Sequence, residues 1–171
     1  MTNDLIANFF ALSGTFYLLA IAWPLSRVDI REHRLPNKFV LPTFPIALVG
    51  EVLASAVLDK WLNLGIALGT AAIAFVIGLA ANHWASLGMG DVKLITAISL
   101  SLGWFSYLAP LIAIVCAFVI ASLVVLALIA LRKTSLGSSI ALGPYLLAGF
   151  VLTQMLTWST YLGGFTPNFL M

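Results

Sequence analysis

From Val92 to Leu131 the chain runs for 40 residues with no charged side chain after Lys93. A bilayer crossing takes about 20 mostly apolar residues, so this stretch is too long for one helix and too apolar for a solvated domain. The segment "LGWFSYLAP", around Gly103 to Pro110, supplies a turn with interfacial aromatics. It divides the run into a short fourth helix and a long fifth one. Similar runs predict helix 1 over Leu5 to Leu25, helix 2 over Phe39 to Leu58, helix 3 over Leu62 to Ala81 and helix 6 over Ile140 to Tyr161. Pro24 lies near the expected end of helix 1, Pro42 and Pro45 fall in the first turns of helix 2, and Gly143 with Pro144 predicts a kink in helix 6. At 171 residues, 62% hydrophobic and 8% charged, the expected fold is an all-α polytopic membrane bundle of about six helices, a single domain over 1–171.

The few charges set an expected orientation. With six crossings and the N-terminus outside, Arg27, Arg31, Arg34, Lys38, Lys93, Arg132 and Lys133 share the cytoplasmic side, and only Lys60 opposes them. "MTNDLIANFF" has no basic residue ahead of its apolar stretch, so the first segment is expected to be a retained helix rather than a cleaved signal. The net charge of +2, without a Lys/Arg run interleaved with aromatics, predicts no nucleic-acid partner. Cys116 is the single cysteine, which excludes a disulfide framework or a Cys-based zinc site within one chain. His33 and His83 are lone loop histidines with no second ligand cluster, so no metal and no cofactor are expected. Gly65 and Gly69 have a small-xxx-small spacing that permits close helix approach, and Trp61, Trp84, Trp104 and Trp158 fall at expected interfacial helix ends.

Six acidic residues remain to carry chemistry. Asp4 and Asp59 fall on the outer side as solvated ends. Asp29, in "SRVDIREHRLPNK", lies four residues beyond the expected end of helix 1, and Asp91, in "SLGMGDVKLITA", begins helix 4. Although distant in sequence, both are expected at the cytoplasmic membrane boundary. Two carboxylates sharing a partly desolvated site cannot both ionise easily, which leaves one base and one acid near neutral pH. Such a pair suits peptide hydrolysis, the base activating water and the acid protonating the carbonyl oxygen. The competing reading makes Asp91 a helix N-cap and Asp29 a loop charge beside Arg27 or Arg31. Gly88 and Gly90 bracket Met89 and, lacking Cβ, allow unusual dihedrals and close backbone approach beside Asp91. Lys93 reads as a membrane anchor. Glu51 is expected deep within helix 2, too far from the cytoplasmic end to join the pair, in a protonated or hydrogen-bonded packing role.

"GMGDVKL", with an aspartate 62 positions upstream in "DIREHRLPN", resembles the paired signature of the GxGD aspartic peptidases that process type IV prepilins. "IALGPYLLAG" is similar to the Gly-Pro segment of their last helix, with Ile140 and Ala141 where an earlier proline is usual. The resemblance implies Asp29 and Asp91 as the catalytic pair, supported by Gly88, Met89 and Gly90. It also implies cleavage of a leader from a prepilin or pseudopilin at the cytoplasmic face of the bacterial inner membrane. Larger members have an N-terminal methyltransferase region with a four-cysteine zinc site, which this chain lacks the length and cysteines to form. It therefore resembles the short, peptidase-only branch associated with tight-adherence (Flp) pili, and more distantly the archaeal preflagellin peptidases. A serine peptidase is disfavoured because no G-x-S-x-G motif is present. A proton-coupled carrier built around Glu51 and a non-catalytic assembly subunit are the alternatives. The oligomeric state is open at this stage.

Overall fold

The computed structural model describes residues 2–32, 34–132 and 141–162. Within them the chain forms eight helices: α1 (Thr2–Ala11), α2 (Ser13–Glu32), α3 (Asn37–Val40), α4 (Thr43–Leu58), α5 (Trp61–Ala85), α6 (Met89–Gly103), α7 (Ala109–Ala130) and α8 (Gly143–Leu162). Asn37–Leu58, Trp61–Ala85 and Ala109–Ala130 are each long and apolar enough to cross a bilayer, and the pair α1 and α2, bent by 41°, makes a fourth candidate. The protein is a multi-pass helical membrane protein. His33, Lys133 and Ile140 lie outside the described residues.

α6 stands at the centre. With 15 residues it spans about 22 Å, less than a bilayer core. Val92 and every residue from Leu94 to Gly103 are buried. A helix sheathed by other helices needs no lipid-facing apolar surface, and α6 accordingly carries Thr96, Ser99 and Ser101 in its buried length.

The predicted first helix differs in both length and shape. It breaks at Leu12 and continues past Pro24 to Glu32, which places Asp29 in the closing turns of a helix rather than in a loop. Proline removes one N–H donor, a defect that membrane helices absorb through neighbouring groups. Helix 2 divides at Leu41–Pro42 into α3 and α4. Gly143 and Pro144 open α8 instead of kinking it, because the first turn of a helix has no donor to lose there.

Close approach occurs at other glycines than the predicted pair. Nothing lies within 4 Å of a Cβ built on Gly65 or Gly69. Gly149, by contrast, meets the backbones of Ala113 and Ala117 on α7, Gly103 meets Ala67 and Thr70 on α5, and Gly14 meets Ala47 and Ser101, joining α2, α4 and α6. Between helices in lipid, attraction comes from such tight packing rather than from a hydrophobic force.

Trp104 stands at the end of α6 as expected, but faces protein. It is 1% exposed and its Nε1 donates to Ser55 Oγ at 3.0 Å, fixing the end of α6 against α4. Asn63 Nδ2 donates to the Trp104 carbonyl at 3.0 Å, adding α5 to that junction. At the same end Lys60 acts electrostatically on Asp4. The opposite end gathers Asp29, Leu35, Asn37, Asp91 and Gly143, the contacts that form the site.

Candidate active site

α2 delivers Asp29 from its closing turns, and α6 delivers Asp91 from its first. Asp29 is 4% exposed, and its Oδ2 accepts a hydrogen bond from the backbone N–H of Gly143 at 2.8 Å. That N–H is one of the first of α8, a group with no acceptor inside its own helix. The positive end of the helix dipole faces the carboxylate. Glycine at 143 makes room for this contact: a Cβ there would lie 2.7 Å from Asp29 Oδ2 and 3.0 Å from Leu35 Cδ2, so those side chains would have to shift.

Asp91 reaches the same end of the bundle through a tight connection. α5 ends on Ser86 in the left-handed region (φ 55°), and Asn82 Nδ2 donates to the Leu87 carbonyl, holding the loop that leads into Gly88. The N-cap of α6 is Gly88, with no side-chain cap bond, so Asp91 is not the N-cap that its position before an apolar run suggests. A Cβ on Gly88 would lie 2.8 Å from Asp91 Oδ2. Gly88 has ordinary extended dihedrals (φ −60°, ψ 136°), so its contribution is space rather than an unusual conformation. Gly90 does provide the predicted close approach, since a Cβ there would lie 2.7 Å from Leu35 Cβ and 3.3 Å from Leu35 N. Met89 is exposed and carries none of these contacts.

The two carboxylates share this end of the bundle. Asp91 lies beyond the long apolar spans, and burial first, then the Asp29 charge, pushes its carboxyl up to about 6. The two carboxylates are therefore close enough for the charge on one to disfavour ionisation of the other. Lys93 does not pair with Asp91. Its Nζ donates to Asn37 Oδ1 at 2.9 Å and ties α3 to α6.

A model of the type IV leader peptidase family matches residues 16–131, more than half of the chain. The chain belongs to this family. No curated protein and no solved structure matches it. Family membership makes it a peptidase, and the apolar helices make it a multi-pass one. The matched residues include Asp29, Leu35, Gly88, Gly90 and Asp91 and end before α8.

Sequence reasoning missed Leu35 and the site role of Gly143. Leu35 is buried and wedges between Gly90 and Gly143, spacing the segments that hold the two acids. Its only local signal is the Leu-Pro step in "HRLPN", and that of Gly143 is the Gly-Pro step in "IALGPYLLAG". Glu51 is fully buried in α4, on the face shared by Ala47 and Ser55, and neither carboxyl oxygen has a hydrogen-bond partner among the described residues. It stands with the Trp104 junction rather than with the acid pair.

Proposed function

We infer that this chain is an aspartic endopeptidase that removes the leader peptide of type IV, Flp-like prepilins at the cytoplasmic face of the bacterial inner membrane. In this reading it crosses the membrane six times with its N-terminus outside. α6, short and buried, and α8, which carries Thr153, Gln154 and Thr157 on its buried face, make the remaining two crossings.

One observation carries the reading: two acids from separate helices act on each other at one end of the bundle, and the Asp91 carboxyl is raised to about 6. The two acids share a proton and titrate as a unit: the ionised member takes a proton from water as the water oxygen attacks the scissile carbonyl carbon, and the protonated member gives its proton to the carbonyl oxygen. The tetrahedral adduct collapses as the C–N bond breaks and the departing amine takes a proton from the pair. No metal or cofactor enters this scheme. The specific observation favouring a proton-coupled carrier is Glu51, buried without a partner among the described residues.

The test is incubation of the purified protein in detergent with a precursor pilin, following loss of the leader by mass. Asp29→Asn and Asp91→Asn are each expected to abolish processing, and Glu51→Gln to retain most of it. Normal cleavage by either aspartate variant would overturn the pair. Substrate movement across liposomes without proteolysis would establish the carrier instead.

A further inference from the structure

α4, α5 and α6 do not close against one another along their full length. Between them runs a groove of about 630 Å³. Its walls are set by Leu41 and Leu48 beside α4, Leu68 and Phe75 on α5, and Lys93 and Leu100 on α6. Each pair is seven positions apart, which gives about 10 Å on every side and makes the groove a channel parallel to the helix axes. Ala71 and Ala72 keep it open on the α5 side.

Apart from Thr96, the lining is apolar until Lys93 at one end. Lys93 is half-buried, its one polar contact is the neutral Asn37 side chain, and no carboxylate pairs with it among the described residues. Lys38, next to Asn37, adds a second cation at this end, its Nζ 5.1 Å from the Phe39 ring. An apolar channel with uncompensated positive charge at its mouth is complementary to one kind of molecule, an amphiphile with an anionic head.

We propose that this groove is a binding site for an anionic phospholipid, with one acyl chain between α4, α5 and α6 and the headgroup phosphate on Lys93. The apolar helix of a peptide substrate is the other candidate occupant, and the geometry disfavours it. Lys93 and Asp91 are two positions apart on α6 and so point about 200° apart around its axis. Among the described residues, α2 and α8, which provide Asp29 and Gly143, contribute none to the groove lining. A substrate helix lying there would have the central helix between its cleavage point and the acid pair. A headgroup bound at Lys93 would instead compete with Asn37, which stands two residues from the Leu35 wedge, and so bear on the site from behind.

The experiment uses the full chain in nanodiscs of phosphatidylcholine, doped at equal mole fraction with phosphatidylglycerol or phosphatidylcholine carrying the same photoreactive acyl chain. Adducts are mapped by mass spectrometry. The expected result is labelling at Leu48, Leu68 and Phe75 that favours phosphatidylglycerol about fivefold, the preference one lysine confers near an anionic lipid. Lys93→Gln should bring the two lipids level, Lys93→Arg should keep the preference, and Ala72→Trp, at an exposed position, should suppress labelling by both. Equal labelling in the wild type, or an unchanged preference in Lys93→Gln, overturns the proposal. So does loss of labelling on saturation with a precursor peptide, which would assign the groove to the substrate helix. The readout involves no cleavage, so its failure leaves the aspartate reading untouched.

Discussion

Replacing Gly143 with alanine adds one methyl group at the point where α8 meets Asp29. The new Cβ would lie 2.7 Å from Asp29 Oδ2, 3.0 Å from Leu35 Cδ2 and 3.2 Å from Asp29 Cγ. These separations are inside contact distance, so the carboxylate is expected to shift and its 2.8 Å hydrogen bond to the Gly143 N–H to lengthen or break. A hydrogen bond to a charged group contributes about 1.5–3 kcal/mol. If the bond positions Asp29 in the transition state, its loss lowers kcat/KM by roughly tenfold to a hundredfold. The assay is cleavage of a precursor pilin by the detergent-solubilised variant, with far-UV circular dichroism to verify helix content. A second variant separates the two clashes: Leu35→Ala in the Gly143→Ala background relieves the Leu35 contact and leaves the Asp29 contact in place. Measured against Leu35→Ala alone, the added Gly143→Ala should cost little further thermal stability but the same loss of activity. A Gly143→Ala enzyme within twofold of wild type would refute the role of the bond, and recovered activity in the double variant would assign the loss to the wedge instead.

Two further outcomes follow from the same geometry. Gly149→Ala would press a methyl group into the α7 backbone and is expected to cost about 1–3 kcal/mol in denaturant-titrated stability, whereas Gly65→Ala and Gly69→Ala, with nothing in reach, are expected to be neutral or stabilising. Asp91 has a folded value of about 6 against an ordinary 3.8, so its protonation stabilises the fold fully at low pH and that contribution is lost as pH rises through about 6. Asp91→Asn, which cannot ionise, should therefore melt above the wild type at about pH 7.5 by a margin that closes towards about pH 4, and a constant margin would contradict the raised value.

Much of the fold was legible because a lipid environment narrows the choices: apolar runs become helices, and polar turns become their ends. The turn at Gly103 to Pro110 and the span over Trp61–Ala85 appear close to where hydropathy puts them. What hydropathy misses is whether a helix faces lipid or protein. Trp104 reads as an interfacial aromatic in one dimension, yet its indole is buried and bonded to Ser55 on α4 while its carbonyl accepts from Asn63 on α5. The same ignorance of partners made Gly65 and Gly69 look like a contact. Spacing shows that a helix face is small, but not that another helix lies against it, and in this bundle close approaches fall instead at glycines such as Gly14, Gly50, Gly103 and Gly149.

The acids themselves were legible from charge scarcity, since two carboxylates at one predicted membrane boundary are few enough to notice. Their support was not, because it depends on residues without functional groups. Gly88 leaves room for the Asp91 carboxyl, Gly143 leaves room for that of Asp29, and Leu35 fills the space that Gly90 and Gly143 vacate. The spacing of the pair is thus set by one apolar side chain held between two glycines on different helices. This arrangement gives a reason for the second glycine of "GMGD" that a turn does not. With a methyl group at Gly90 only 2.7 Å from Leu35 Cβ, the segment carrying Leu35 would have to withdraw, and the contact linking α6 to the start of α8 would go with it.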